Sequence, residues 1–89
     1  MYYVYVLKSK KDNKNYTGYT GDLRKRLTEH NEGKSVSTKN RRPLELIYFE
    51  GCLNRLDAKK REMYLKTTYG KRYIKNRVKE YLDGLNDIS

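Results

Sequence analysis

The stretch YYVYVLKSKKDNKNYTGYTGDLRKRLTEHNEG, residues 2–33, decides the fold. Its opening run, YYVYVLK, is aromatic and β-branched and reads as a strand. Because the run is continuously apolar, it points to burial on both faces. The polar segment KKDNKN (10–15) then turns the chain, and YTGYT (16–20) resumes β character. The two runs should therefore pair as an antiparallel hairpin. Asp22 stands where an N-cap is expected, for a helix from about 23 to 32 that Gly33 stops.

Outward from this unit, residues 34–42 (KSVSTKNRR) form a basic loop that ends at Pro43. LELIYFE, 44–50, sets Leu44, Leu46 and Tyr48 against Glu45, Ile47 and Phe49, the alternation of a third strand. Asn54 can cap a second helix over roughly 55–67, and after TTYG a third helix runs over roughly 71–83. The order is β-β-α-β-α-α, which gives an α+β architecture: one small three-stranded antiparallel sheet flanked by helices. No repeat or linker divides the chain, so one domain over 1–83 with a short tail, 84–89, is expected.

The chain has 89 residues, 36% hydrophobic and 36% charged, enough for one compact core under a strongly polar surface. Cys52 is the single cysteine, which rules out an intramolecular disulfide and a multi-cysteine metal site. It reads as a small buried hydrophobe and suits a reducing cytoplasm. No window approaches the roughly 18 apolar residues of a membrane span, and MYYVYVL is too short for a signal peptide. A soluble intracellular protein is expected. Lys and Arg number 21 against 11 Asp and Glu, a net charge of +10. Such a field attracts polyanions through counterion release, without sequence preference. Nucleic acid leads; ribosomal RNA or an acidic membrane surface would serve the charge equally.

Two helices break their own patterns. On the first, Leu23 and Leu27 define the apolar stripe; His30 lies about 20° and Arg26 about 60° from Leu23. An arginine at a core boundary must find an acceptor or snorkel out, so the pair is either a satisfied surface feature or part of a site. On the second, Glu62 shares a face with Ala58 and Leu65. A carboxylate there is ion-paired, coordinates something or faces a cleft. The third helix carries a regular apolar face of Ile74, Val78, Tyr81, Leu82 and Leu85, with Lys71, Arg72, Lys75, Arg77 and Lys79 mostly off it. Tyrosine occurs ten times. Tyr2 and Tyr3 read as half-core, whereas the hairpin makes Tyr5 and Tyr16 candidates to lie near each other.

The ordered set Tyr5, Tyr16-Thr17-Gly18, Arg26, His30, Glu62 resembles the GIY-YIG nuclease superfamily. The first name motif stands as YVY (3–5), the second as YTG (16–18). YTGDLRKRLTEH is similar to the family's Asp-Leu followed by Arg and His four apart, and DAKKREMYLK to its glutamate-bearing helix. The likeness covers nearly the whole chain and looks closest to short stand-alone bacterial members, more distantly to the N-terminal incision domain of the nucleotide-excision repair protein. Tyr3 and Thr17 depart from the name motifs at scaffold positions, and Asn76, nearest to a further family asparagine, falls on a polar face.

The resemblance implies a nuclease fold and metal-assisted hydrolysis of a phosphodiester. Catalytic Tyr5, Tyr16, Arg26, His30 and Glu62 would do the chemistry, with Glu62 holding one Mg²⁺ or Mn²⁺. In that picture Tyr5 acts as general base, its pKa lowered by cationic neighbours, His30 orients a tyrosine hydroxyl, and Arg26 meets the phosphate oxygens. Gly18 and Gly21 leave room for backbone near a phosphate or simply serve turn geometry. Lys34, Lys39, Arg41, Arg42, Lys71 and Arg72 would contact phosphates without reading bases. The expected substrate is branched, flapped or single-stranded DNA, with RNA open beside it, and a part in repair or recombination. A binding module with little turnover is the alternative.

Overall fold

The computed structural model describes residues 1–86. Strands β1 (Tyr2–Ser9), β2 (Asn15–Thr20) and β3 (Leu44–Cys52) form one antiparallel sheet in the order β2-β1-β3. Helices α1 (Leu23–Asn31), α2 (Arg55–Leu65), α3 (Thr68–Arg77) and α4 (Lys79–Asn86) flank it, and a 3₁₀ turn spans Lys39–Arg41. The expected α+β fold holds, with one more helix than the sequence pattern suggested. None of these helices is long and apolar enough to cross a membrane.

As the central strand, β1 buries Val4, Tyr5, Val6 and Leu7 in succession, as its unbroken apolar run requires. Val4 and Val6 pack with Ile47, Ala58, Leu65, Ile74 and Val78 on one face. Tyr5 and Leu7 pack with Leu44 on the other, where Leu23 and Leu27 of α1 cover them. Simple alternation along β3 fails. The β1–β3 register slips between Val6 and Leu7, so that Val6 faces Tyr48 and Leu7 faces Leu46. The extra residue is Ile47. The bulge reverses the facing of everything after it: Leu46 packs on the α1 side, whereas Ile47, Tyr48 and Cys52 all join the opposite cluster. Cys52 is partly buried there, less so than expected.

The expected helix over 71–83 is two helices, and it begins earlier. The Thr67 side chain accepts from the Gly70 N–H and caps α3, making TTYG its first turn rather than a linker. Gly70 sits inside α3 because a Cβ there would strike the α2 backbone at Tyr64 and Leu65. α3 ends at Val78, whose φ of −107° and ψ of 16° leave the helical region. α4 continues to Asn86, past the expected end at 83. The Leu85 side chain and residues 87–89 lie outside the described part.

Candidate active site

The β1–β2 hairpin pairs Tyr5 with Gly18 and Leu7 with Tyr16, so Tyr5 and Tyr16 are diagonal neighbours on one face. Their ring centroids are 6.4 Å apart. Gly18 allows this arrangement. A Cβ there would lie 2.6 Å from the Tyr5 hydroxyl oxygen and 2.8 Å from its Cζ. The space that a side chain would claim is filled by the tip of Tyr5, not held open for a phosphate. Gly21 has no such crowding, its nearest neighbour being a Tyr2 ring carbon at 3.8 Å.

α1 delivers the second half of the cluster. The Asp22 side chain accepts from the Lys25 N–H at 3.1 Å, the N-cap that the sequence indicated. At the other end Gly33, with φ +81°, supports two closing bonds, from the Gly33 N–H to the His30 carbonyl and from the Lys34 N–H to the Glu29 carbonyl. This is a Schellman end, whose left-handed residue is best met by glycine. The helix thus fixed buries one residue completely: His30, 0% exposed. Both its ring nitrogens are engaged, Nε2 with the Tyr5 hydroxyl at 2.9 Å and Nδ1 with the Thr38 hydroxyl at 2.7 Å. Its ring also meets Tyr16 edge-on at 5.1 Å.

Burial pushes the His30 pKa below its ordinary value, and the nearby Arg26 charge pushes the same way, so the ring is neutral at pH 7. Arg26, one turn back, keeps a third of its side chain exposed (33%) and pairs with Glu29 at 3.4 Å. Its guanidinium also faces the Tyr5 hydroxyl and favours the phenolate. Burial outweighs that help. With the charges of Tyr16 and Glu62 adding to it, burial raises the Tyr5 pKa above its ordinary value. The lowering expected from cationic neighbours is therefore absent from the free protein.

Glu62 lies on the inner side of α2, its side chain 16% exposed, with the exposed Lys66 ammonium at 3.6 Å. Its charge reaches Tyr5 only as the weakest of the influences on that hydroxyl. Among the described residues no group of three His, Cys, Asp or Glu stands together to cage a metal ion. A single sheltered carboxylate with only an exposed, displaceable partner still suits Mg²⁺, which keeps most of its waters and takes one or two protein carboxylates plus substrate phosphate. Over the Val6 face of the sheet opens a cleft of about 790 Å³, floored by Val6, Leu65, Ile74 and Val78 with lysines along its walls; of the five candidate catalytic residues only Tyr16 lines it.

The remaining cations divide. Lys34, Lys39, Arg42, Lys71 and Arg72 are exposed. Arg41 is held by Asp12 at 3.0 Å, and Arg42 bonds the Lys39 carbonyl at 2.8 Å. Asn76 is exposed. Sequence patterns had not marked Thr38, which falls in the non-periodic loop SVST. They also missed Arg61, which pairs with Glu50 at 2.6 Å and lies over the Tyr73 ring at 4.9 Å, tying α2 to β3 and α3 beside Glu62. A basic residue in a run of basic residues gives no local signal of that partnership.

Residues 1–77 match the family model described as the GIY-YIG catalytic domain. A UPF0213 protein of Clostridium perfringens is 46% identical over 67 residues, 74% of this chain and 71% of that relative. One from Staphylococcus haemolyticus is 45% identical over 67 residues, 74% of this chain and 80% of the relative. The solution NMR structure of a UPF0213 protein from Bacillus halodurans has a TM-score of 0.52 at 32% identity, covering 83% of this chain and 82% of that one.

Proposed function

We propose, from the premise that this chain belongs to the GIY-YIG catalytic-domain family of nucleases, that it is a DNA endonuclease hydrolysing phosphodiester bonds with one divalent cation, Mg²⁺ or Mn²⁺. One observation carries the reading: the Tyr5 hydroxyl bonds the His30 ring at 2.9 Å, Tyr16 packs beside it, and the Arg26 charge acts on it. Glu62 would hold the cation, which supplies Lewis-acid polarisation of the phosphate when bound. Arg26 presents its fork to the non-bridging oxygens, where negative charge develops. Tyr5, as phenolate, takes a proton from the attacking water. The water oxygen bonds to phosphorus, the opposite P–O bond breaks, and the leaving oxygen takes a proton from solvent. Tyr16 hydrogen-bonds the water or phosphate.

The exposed cations of the 34–42 loop and α3 support backbone gripping without base reading. The substrate is accordingly chosen by shape (branched, flapped or single-stranded DNA), as a part in repair or recombination would require. A second reading, a nucleic-acid-binding module with little turnover, is favoured by the state of Tyr5. From an ordinary value of 10.0, which burial raises further, at most about one Tyr5 in a thousand is ionised at pH 7 in the free protein.

Labelled DNA and RNA structures, incubated with Mg²⁺, Mn²⁺ or chelator, separate the two readings. Metal-dependent nicking that falls about 100-fold in Arg26→Ala and in Glu62→Gln, with affinity held within a few fold, supports the nuclease. Equal cutting by both variants points to a contaminant and removes the assignment. Tight binding without cutting leaves the module.

A further inference from the structure

Tyr5, His30 and Thr38 form a chain of three hydrogen-bonding groups reaching from the site into the interior, with exposures of 1%, 0% and 0%. Two hydrogen bonds join them, at 2.9 and 2.7 Å, and three hydrogens are available: one on each hydroxyl and one on the neutral ring. One hydrogen must therefore be left at an end of the chain. If His30 carried it on Nδ1, Thr38 would accept, and its own hydrogen would face the closed end. Among the described residues the Thr38 hydroxyl has no other hydrogen-bond partner. An unpaired buried donor is unfavourable. If Thr38 donates to Nδ1, the spare hydrogen falls on Tyr5 instead. There the chain meets the half-buried Tyr16 and Arg26, at the border of the site, where water or substrate can accept it.

We propose that Thr38 is a positioning residue: its hydroxyl donates to His30 Nδ1 and holds the imidazole as the Nε2–H tautomer, which donates to the Tyr5 oxygen. His30 is then not the group that removes the Tyr5 proton. It is one of two donors, with Arg26, aimed at the oxygen that becomes phenolate, and the proton leaves toward the site. The groups facing the ring agree with this arrangement. Tyr5 comes from β1, Tyr16 from β2, Arg26 and Glu29 from α1 itself, and Thr38 from the loop. No carboxylate bonds Nδ1, where one would have favoured the opposite tautomer.

His30 is the single histidine, so its ring nitrogens can be read in a ¹⁵N-labelled sample without ambiguity. The parent should show a protonated Nε2 and a bare Nδ1 at pH 7; a protonated Nδ1 overturns the proposal and needs no variant. Thr38→Val, nearly the same shape without the hydroxyl, should yield a mixture of tautomers, and Thr38→Ser should restore the parent pattern. An unchanged tautomer in Thr38→Val also overturns it. If Thr38→Val fails to fold, the parent spectrum and Thr38→Ser still decide. This inference deepens the nuclease reading, and only its activity arm rests on that reading. Nicking should fall on the order of tenfold in Thr38→Val and recover in Thr38→Ser. Absence of any nicking in the parent would sink the nuclease while the tautomer result stands by itself.

Discussion

Replacing Gly18 with alanine adds one methyl group at the tightest point of the site. The new Cβ would sit 2.6 Å from the Tyr5 oxygen, 2.8 Å from its Cζ and 3.3 Å from Tyr16 Cε1. Ordinary carbon contacts are about 3.5–4.0 Å, so the Tyr5 tip must retreat by roughly 1 Å. An exposed tyrosine would swing aside, but Tyr5 is 1% exposed, with His30 already bonded to its hydroxyl. A shift of that size carries the 2.9 Å bond past hydrogen-bonding range or drives the ring into Leu7 and Leu44 packing. Overpacking of this kind costs about 1–3 kcal/mol in urea unfolding. Misplacing a reacting group by about 1 Å costs on the order of 100-fold in nicking. Both effects should shrink in a Tyr5→Leu background, where the ring is gone, giving a coupling of about 1 kcal/mol or more in stability. If Gly18→Ala unfolds and cuts like the parent, the view of Gly18 as the berth of Tyr5 is wrong.

Stability should be greatest between about pH 6.5 and pH 10, and urea midpoints across pH check this. His30 has a folded pKa below its ordinary 6.5, so its contribution is present above 6.5 and is lost as pH falls through the folded value. Tyr5 has a folded pKa above its ordinary 10.0, so its contribution is present below 10 and is lost as pH rises through the folded value. The logarithm of kcat/KM for nicking, which reports the free protein, should climb with pH at a slope near one without levelling before pH 10. A plateau near pH 8 would assign the base to a group other than Tyr5. Arg61→Ala should destabilise by about 1–2 kcal/mol through loss of the Glu50 pair and the stacking on Tyr73, a modest figure because both charged partners are near 30% exposed. Equal midpoints for Arg61→Ala and the parent would reduce that pair to a surface contact.

What the sequence disclosed follows from how local each interaction is. The hairpin, the Asp22 cap and the Gly33 stop are written within a few residues of where they act. The phase of α1 was enough to put His30 near the core, because 100° per residue survives two turns of helix. Features that depend on distant partners left no such mark. The bulge at Ile47 comes from the β1–β3 register, and it defeats the apparent alternation of LELIYFE. TTYG reads as the lead-in to a helix, yet Gly70 lies inside that helix as a packing notch against α2. Thr38 lies eight residues from His30 in a loop with no periodicity, so nothing but the fold could join them.

The same burial that orders the site also restrains it. A rigid Tyr5 needs the closed environment of Leu7, Leu44 and His30, and that environment disfavours the phenolate. A more exposed tyrosine would ionise more readily but would not hold its oxygen against a fixed point on the phosphate. The chain retains the rigid option and places donors, not acceptors, around the oxygen: Arg26 from the solvent side and, by the tautomer argument, His30 from the interior. These stabilise the phenolate only in part, since the net shift in the free protein is still upward. On the nuclease reading, the missing positive charge would come with the cation that Glu62 would hold. On that reading, reactivity would be tied to a loaded site, which would keep a +10 surface that attracts many polyanions from cutting them indiscriminately.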